Sequence, residues 1–247
     1  MNCPACIEGR TNLCPSRQII SMMPRPGGFA EYVSVPDRNL LPVPDGVDPS
    51  VAALTEPVAV SYHGINLAEA ALYRSPSACS AVVIGGGAIG VAAAAVLKSR
   101  GVHRLRIAET NPLRRAALEA SGQYEIFDPT TESDVESCAE LVVDAVGYEP
   151  TRALACHMAR PGGVILHIGL GSAEGGVDVR KLTLQEITFI GAYTYSMTDF
   201  AETLDGLAVG RFGAIDWTEE RALKDGAEAF SALRAGTVPA AKIILRP

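Results

Sequence analysis

Three cysteines open the chain at Cys3, Cys6 and Cys14, within CPACIEGRTNLC. A Cys-x2-Cys pair followed by one returning cysteine has metal-ligand spacing. Two thiolates on a tight knuckle and a third on a short loop suit tetrahedral zinc. Four ligands would complete such a site and three do not, so idle thiols are the other reading of the same residues. A second constellation lies in VVIGGGAIG, where Gly85, Gly87 and Gly90 stand in G-x-G-x-x-G order. Following a buried strand and opening a helix, that pattern has a mechanism: Gly85 permits the tight turn, Gly87 lets backbone approach a pyrophosphate, and Gly90 lets helix and strand pack closely. The free N–H groups of the helix start face the anion. Glu109 closes the next strand, where a carboxylate can accept hydrogen bonds from ribose hydroxyls and would repel a 2′-phosphate. It favours NAD over NADP, and Arg104, Arg106, Arg114 and Arg115 nearby weigh against that preference.

The elements that must position these groups follow from periodicity. AVVIGGG reads as a strand entering a turn, AIGVAAAAVLKSRG as a helix of small residues stopped by Gly101, and LRIAET as a second strand. PLRRAALEASG is a helix with Pro112 in its first turn and Gly122 past its end. ELVVDAVG, EPTRALACHMARPGG and VILHIGLG continue as strand, helix and strand, and ITFIGAYTYS and DFAETLDGLAVG add another pair. LKDGAEAFSALRAG and AKIILRP end the chain as helix and strand. Strands alternating with helices imply an α/β fold, a doubly wound parallel sheet covered on both faces. The turns DAVG and HIGLG then end parallel strands, where ligands sit, as neighbours of a nicotinamide or as plain strand-end packing. Upstream, GGFAEYVSVP alternates as a half-buried strand does. Asp48 and Pro49 read as the cap and first residue of a helix running from about Ser50 through Ala71, bent or interrupted at Pro57.

Composition limits the possible classes. With 48% hydrophobic and 20% charged residues in 247, a sizeable core can be buried without disulfides. The net charge of −7 and the lack of a Lys/Arg-rich run argue against nucleic acid or an anionic membrane surface as partner. Residues 75–97 carry no charge over a bilayer-spanning length, but their glycine centre and alanine-rich half fit a buried strand-turn-helix better than a lipid-facing span. Cys79, Cys138 and Cys156 are scattered and a polar, turn-rich N-terminus precedes them, so a reducing cytoplasm is expected.

CPACIEGRTNLC resembles the structural-zinc lobe of the zinc-dependent medium-chain dehydrogenases, the alcohol, sorbitol and threonine dehydrogenase superfamily. That lobe has four cysteines, and Cys3, Cys6 and Cys14 match the second, third and fourth. GGFAEYVSVPDRNLLPVPDGVDPSVAALTEPVAVSYHGI, VVIGGGAIG, VVDAVG, RPGGVILHIGLG and AGTVPAAKIILRP follow in family order along essentially the whole chain.

The resemblance implies a Rossmann NAD-binding domain at 73–210, an incomplete GroES-like β-barrel catalytic domain at 1–72, and a C-terminal return to it at 211–247. It implies coenzyme contacts from Gly85, Gly87, Ala88 and Ile89 at the turn and from Glu109 and Arg114 at the ribose. Ala145, Val146, Ile168 and Gly169 would line the later strand ends. Glu56, in TEPVAVSYH, matches an acidic residue near the catalytic zinc in the sorbitol-dehydrogenase-like branch and points to a polyol or secondary alcohol; a helix-start carboxylate is its structural alternative. His63 reads as structural. The family's other catalytic-zinc ligands, an early cysteine and a Gly-His-Glu motif, do not occur in this sequence. NAD binding with little or no turnover is therefore expected of residues 1–247 alone, either from an enzyme whose sequence starts too late or from a short form acting as sensor or partner subunit. A homodimer or homotetramer through the edge strand ITFIGAYTYS is implied as well.

Overall fold

The computed structural model describes residues 2–132 and 135–247. Met1, where the first expected domain begins, lies outside them. In chain order the elements are α1 (Pro4–Ile7), α2 (Pro49–Ala52), α3 (Thr55–Ala71), β1 (Ser80–Ile84), α4 (Ala88–Ser99), β2 (Arg104–Ala108), α5 (Pro112–Ser121) and β3 (Glu125–Phe127). They continue with β4 (Ala139–Asp144), α6 (Glu149–Met158), β5 (Ala159–His167), α7 (Val179–Leu184), β6 (Thr188–Gly191), α8 (Met197–Ala208), β7 (Thr218–Ala222), α9 (Gly226–Ala235) and β8 (Lys242–Arg246).

Six strands form one parallel sheet in the order β3-β2-β1-β4-β5-β6. This is the doubly wound order, with its switch point between β1 and β4. Parallel strands bury both faces, which is why their sequences are continuous apolar runs. In β1, Ala81 and Val83 face the core under α3 and α4, while Val82 and Ile84 face the core under α6. β4 and β5 repeat that alternation: Leu141, Val143, Val164 and Leu166 join the first core, Val142 and Ile165 the second. The alanines of α4, Ala92 to Ala95, let the helix lie close to the sheet. Gly64 does the same for α3, since a Cβ there would stand 3.1 Å from Ile168 and 3.2 Å from Leu166.

α3 is tied to its neighbours by polar contacts as well. His63 Nδ1 lies 2.8 Å from Asp199 Oδ2 of α8, Tyr62 donates to Glu202 at 2.9 Å, and Ser61 donates to the Ile89 carbonyl at 2.8 Å. His63 is thus a structural residue in this fold, as its setting on an apolar helix suggests. β7 and β8 make a second, two-stranded parallel sheet with α9 as their crossover. Arg246 of β8 reaches Glu220 and Asp48, fastening this unit to the start of α2.

Two expectations need correction, and two strands appear that were not expected. GGFAEYVSVP forms no strand: residues 27–36 are irregular and mostly exposed, with no partner strand alongside. The helix expected over 50–71 is two helices, and the break falls at Ala53–Leu54 rather than at Pro57. Pro57 is the third residue of α3, where its missing N–H would have had no helical acceptor anyway. Strands β3 and β7 were not anticipated, the first having only three residues and the second being largely polar.

Candidate functional site

The glycine turn joins β1 to α4 at the carboxyl end of the sheet. Gly85 has φ +100°, and a Cβ on it would sit 2.5 Å from Val146. A Cβ on Gly90 would lie 1.8 Å from the Gly85 carbonyl oxygen, an overlap that only glycine avoids. At Gly87 the corresponding space is open, with nothing within 4 Å. The three glycines therefore divide their work as the motif requires: two serve the protein's own packing, and one leaves a vacant cradle in front of the first amides of α4, at Ala88 and Ile89. Those N–H groups precede the first helical hydrogen bond and carry the positive end of the helix dipole, so the cradle suits a phosphate.

Gly86, which the motif does not name, is constrained as well. A Cβ there would meet Leu118 at 2.7 Å and Glu109 Oε2 at 3.0 Å. Its N–H instead donates to Glu109 Oε2 at 2.8 Å, drawing the carboxylate across the turn. Glu109 Oε1 accepts from the Asn111 N–H at 2.8 Å, and Arg114 Nη1 stands 3.1 Å from Oε2. Asn111 in turn caps α5 and donates to the Gly236 carbonyl. Glu109 is 6% exposed, so its position is fixed before any ligand arrives. Each of the other nearby arginines has partners of its own: Arg104 the Ala78 carbonyl at the far end of the sheet, Arg106 Glu125 and Glu132, and Arg115 Asp128 together with the Glu109 and Thr110 carbonyls, to which it donates at 2.9 Å each.

Across the switch point, Ala145 and Val146 form the turn after β4, and Ile168 and Gly169 the turn after β5. The two turns touch backbone to backbone. A Cβ on Gly147 would lie 2.2 Å from the Gly169 carbonyl, and one on Gly169 would lie 2.2 Å from Val146. Asp144, with no exposed surface, holds the first turn by accepting from the Val146 and Gly147 N–H groups at 3.0 and 2.9 Å. Beside it, burial lowers the pKa of His167, opposed by the Asp144 charge.

The remaining candidates are Glu56 and the three N-terminal cysteines. Glu56 is the second residue of α3 and is open to solvent on one side. Desolvation on the other side raises its carboxyl above the usual range, and Lys242 opposes the rise. Burial, followed by the charge of Glu56, raises the Tyr195 hydroxyl, so Glu56, Lys242 and Tyr195 share one neighbourhood. Neither Lys242 nor Tyr195 stood out in the sequence. The sulfurs of Cys3, Cys6 and Cys14 lie within 4.8 Å of one another, and among the described residues this is the only group of three or more His, Cys, Asp or Glu that could hold a metal. Zinc thiolates about 2.3 Å from a tetrahedral centre stand about 3.8 Å apart, so the three sulfurs fit three corners of such a site. Within the cluster, a hydrogen bond from the Cys6 backbone lowers Cys3, while Cys6, hydrogen-bonded to Cys3, is pushed up to about 11. The lobe rests against the segment after β6: Asn12 donates to the Tyr193 carbonyl at 2.7 Å, and the Arg17 guanidinium lies 4.7 Å from the Tyr193 ring centre.

A six-stranded doubly wound sheet with a vacant glycine cradle and a fixed carboxylate defines a dinucleotide-binding class of protein. Comparison with known proteins narrows it. Residues 88–208 match the family model for zinc-binding dehydrogenases, and residues 1–45 match that for the alcohol dehydrogenase GroES-like domain. L-galactonate-5-dehydrogenase of Escherichia coli is 34% identical over 220 residues, covering 86% of this chain and 62% of that protein. D-xylulose reductase A of Aspergillus oryzae is 26% identical, covering 95% and 68%. The structure of acetophenone reductase from Geotrichum candidum in complex with NAD superposes with a TM-score of 0.83 at 27% identity, covering 97% of this chain and 68% of that one. The chain belongs to the zinc-dependent medium-chain dehydrogenases and spans about two thirds of the length of these relatives. Among the described residues no helix is long and apolar enough to cross a membrane.

Proposed function

We propose that this chain is the coenzyme-binding part of an NAD-dependent dehydrogenase that moves hydride between a polyol or secondary alcohol and NAD. The observation that carries the reading is the vacant cradle at Gly87, with the Glu109 carboxylate already drawn across the same turn. The α4 amides at Ala88 and Ile89 would hold the pyrophosphate. Glu109, steadied by Arg114, would accept the adenosine ribose hydroxyls. Ala145, Val146, Ile168 and Gly169 would line the nicotinamide half. The engagement of Arg104, Arg106 and Arg115 supports NAD over NADP, since each already has partners and Arg114 faces a carboxylate. NAD held at this turn would supply the hydride acceptor, and a catalytic zinc would supply Lewis-acid activation of the alcohol, for which this chain offers Glu56 alone of the expected neighbouring residues.

Glu56 would stand near that catalytic centre, and the relatives' names support a sugar acid or polyol as substrate class. Cys3, Cys6 and Cys14 would hold a structural zinc, and three adjacent thiols suit a reducing compartment. The division into 1–72, 73–210 and 211–247 and an oligomer built through the exposed edge at β6 belong to the same reading. With Glu56 the only candidate for the catalytic centre, residues 1–247 alone are expected to bind NADH and turn over little. The test is a fluorescence titration of the purified chain with NADH, followed by assay of NAD reduction with a panel of polyols. Saturable NADH binding with negligible turnover supports the proposal. No NADH binding would sink it, and turnover at a rate normal for a dehydrogenase would overturn the expectation of inactivity.

A further inference from the structure

Arg152, on α6, is 4% exposed, and among the described residues its guanidinium pairs with no carboxylate. It spends its donors on backbone carbonyls instead. Nη1 donates to Gly147 at 2.8 Å and to Ser172 at 3.0 Å, Nε donates to Gly175 at 2.6 Å, and Nη2 donates to Glu174 and to the Ser172 hydroxyl. Gly147 belongs to the turn after β4; Ser172, Glu174 and Gly175 belong to the loop after β5. The same two segments are joined by Gly171 N–H to Val146 O at 3.1 Å and Ser172 N–H to Gly147 O at 2.9 Å. Gly147 is thus held from both sides: the buried Asp144 carboxylate accepts from its N–H, and the buried Arg152 guanidinium donates to its carbonyl. An anion and a cation, both withdrawn from water, are compensated through the peptide groups between them. Neither is free to move without leaving a buried charge uncompensated.

We propose that Arg152 is a positioning residue for the nicotinamide half of the coenzyme site, setting the height of the β5 turn against the β4 turn. The inference rests on the coenzyme reading above, and it goes beyond it by assigning a role to a residue that need not touch the ligand. A planar fork with five donors matches carbonyls arriving from two loops, which a lysine cannot reproduce. The adenosine half would be built on β1, β2 and α4, to none of which Arg152 donates a hydrogen bond. Its loss should therefore be felt at one end of the dinucleotide only.

The test compares NADH with ADP-ribose, which carries the adenosine and pyrophosphate but no nicotinamide, on the wild-type chain and on Arg152→Met. Expected is a fall of about tenfold in NADH affinity with ADP-ribose held within about twofold. Arg152→Lys, which keeps the charge and loses the fork, should recover only part of the NADH affinity. It carries the comparison if the methionine variant does not fold. Hydrogen exchange should quicken at the Gly171 and Ser172 amides and stay unchanged at Gly86. Equal weakening of both ligands, or no weakening of either, would overturn the positioning role. Failure of the wild-type chain to bind either ligand would instead overturn the coenzyme reading on which it rests.

Discussion

Val83, Val143 and Leu166 stand side by side in neighbouring strands with no exposed surface, whereas Met23, Phe29 and Tyr32 are 93, 67 and 91% exposed. The two sets are chemically alike and differ in what surrounds them. Every strand of the sheet finds its partners within about a hundred residues, and the helices that cover it are its own crossovers together with α3, which leads directly into it. Among the described residues none before Leu54 is buried. Residues 2–45 contain turns, a thiol cluster and apolar side chains, but no sheet to bury them in. The sheet and its helices therefore bury one another, while the other region presents a surface suited to contact. Chemistry that needs only the sheet should survive in this chain, and chemistry shared between the regions should not.

The strongest way to break this contrast is at the glycine turn. Gly90→Ala places a methyl on the Gly85 carbonyl, a backbone atom that cannot swing aside. It should cost about 3 kcal/mol or more of stability and abolish NADH binding. Gly87→Ala meets open space, so thermal unfolding should be unchanged while NADH affinity falls by at least about tenfold. If both variants lower stability alike, the cradle is only packing.

The next effect tests how α3 is bound to α8. Desolvation would raise the Asp199 carboxyl, but hydrogen bonds from His63 and Ser196 overcome it and hold the group at about 2, below its ordinary 3.8. A depressed carboxylate contributes stability that is fully present above the unfolded value and lost as pH falls through the folded one. The side chain is 11% exposed, so the shift is worth about 2 kcal/mol, disappearing between about pH 4 and pH 2. Chemical denaturation across that range should show this loss in the wild-type chain and a flatter profile in Asp199→Asn. A profile that Asp199→Asn leaves unchanged would remove the pair from the account of acid stability.

Much of the site was legible because phosphate recognition constrains backbone, and backbone constraint selects glycine. Gly85, Gly87 and Gly90 announced themselves by spacing, and Glu109 by its place at the end of a strand. Gly86 was hidden by sitting inside the motif, although a run of three glycines was the available signal. Asp144 and Arg152 were not legible as partners, since they meet only through carbonyls and amides that sequence does not display. Nothing in the spacing of EPTRALACHMARPGG singles out Arg152. The strand expected at 27–36 failed for a different reason. Alternation creates a face to bury but cannot supply the neighbouring strand, and a lone strand leaves its ladder unmade. β3 and β7 went unnoticed because pairing, more than composition, makes them strands.

Glu109 sharpens the contrast on the ligand side. Its charge, fixed by Gly86 and Asn111, is the feature that would repel a 2′-phosphate. Glu109→Gln keeps the size and removes the charge, so the preference for NADH over NADPH should shrink by about tenfold. Parallel titrations with the two coenzymes decide it, and an unchanged ratio would move selectivity to another residue.

The smallest effect probes the exposed region itself. Met23→Ser with Tyr32→Ser removes two large apolar groups that the folded chain does not cover. Side chains in water in both folded and unfolded states contribute little to the difference between them, so unfolding should shift by less than about 0.5 kcal/mol. Self-association, by contrast, depends on the surface of the folded state alone. Sedimentation at increasing concentration should show the wild-type chain forming larger species than the double variant, because the apolar area available for contact has been cut. A large loss of stability would mean that residues 2–45 pack more firmly than their exposure indicates. Equal association would place the contact elsewhere, with the β6 edge as the next surface to alter.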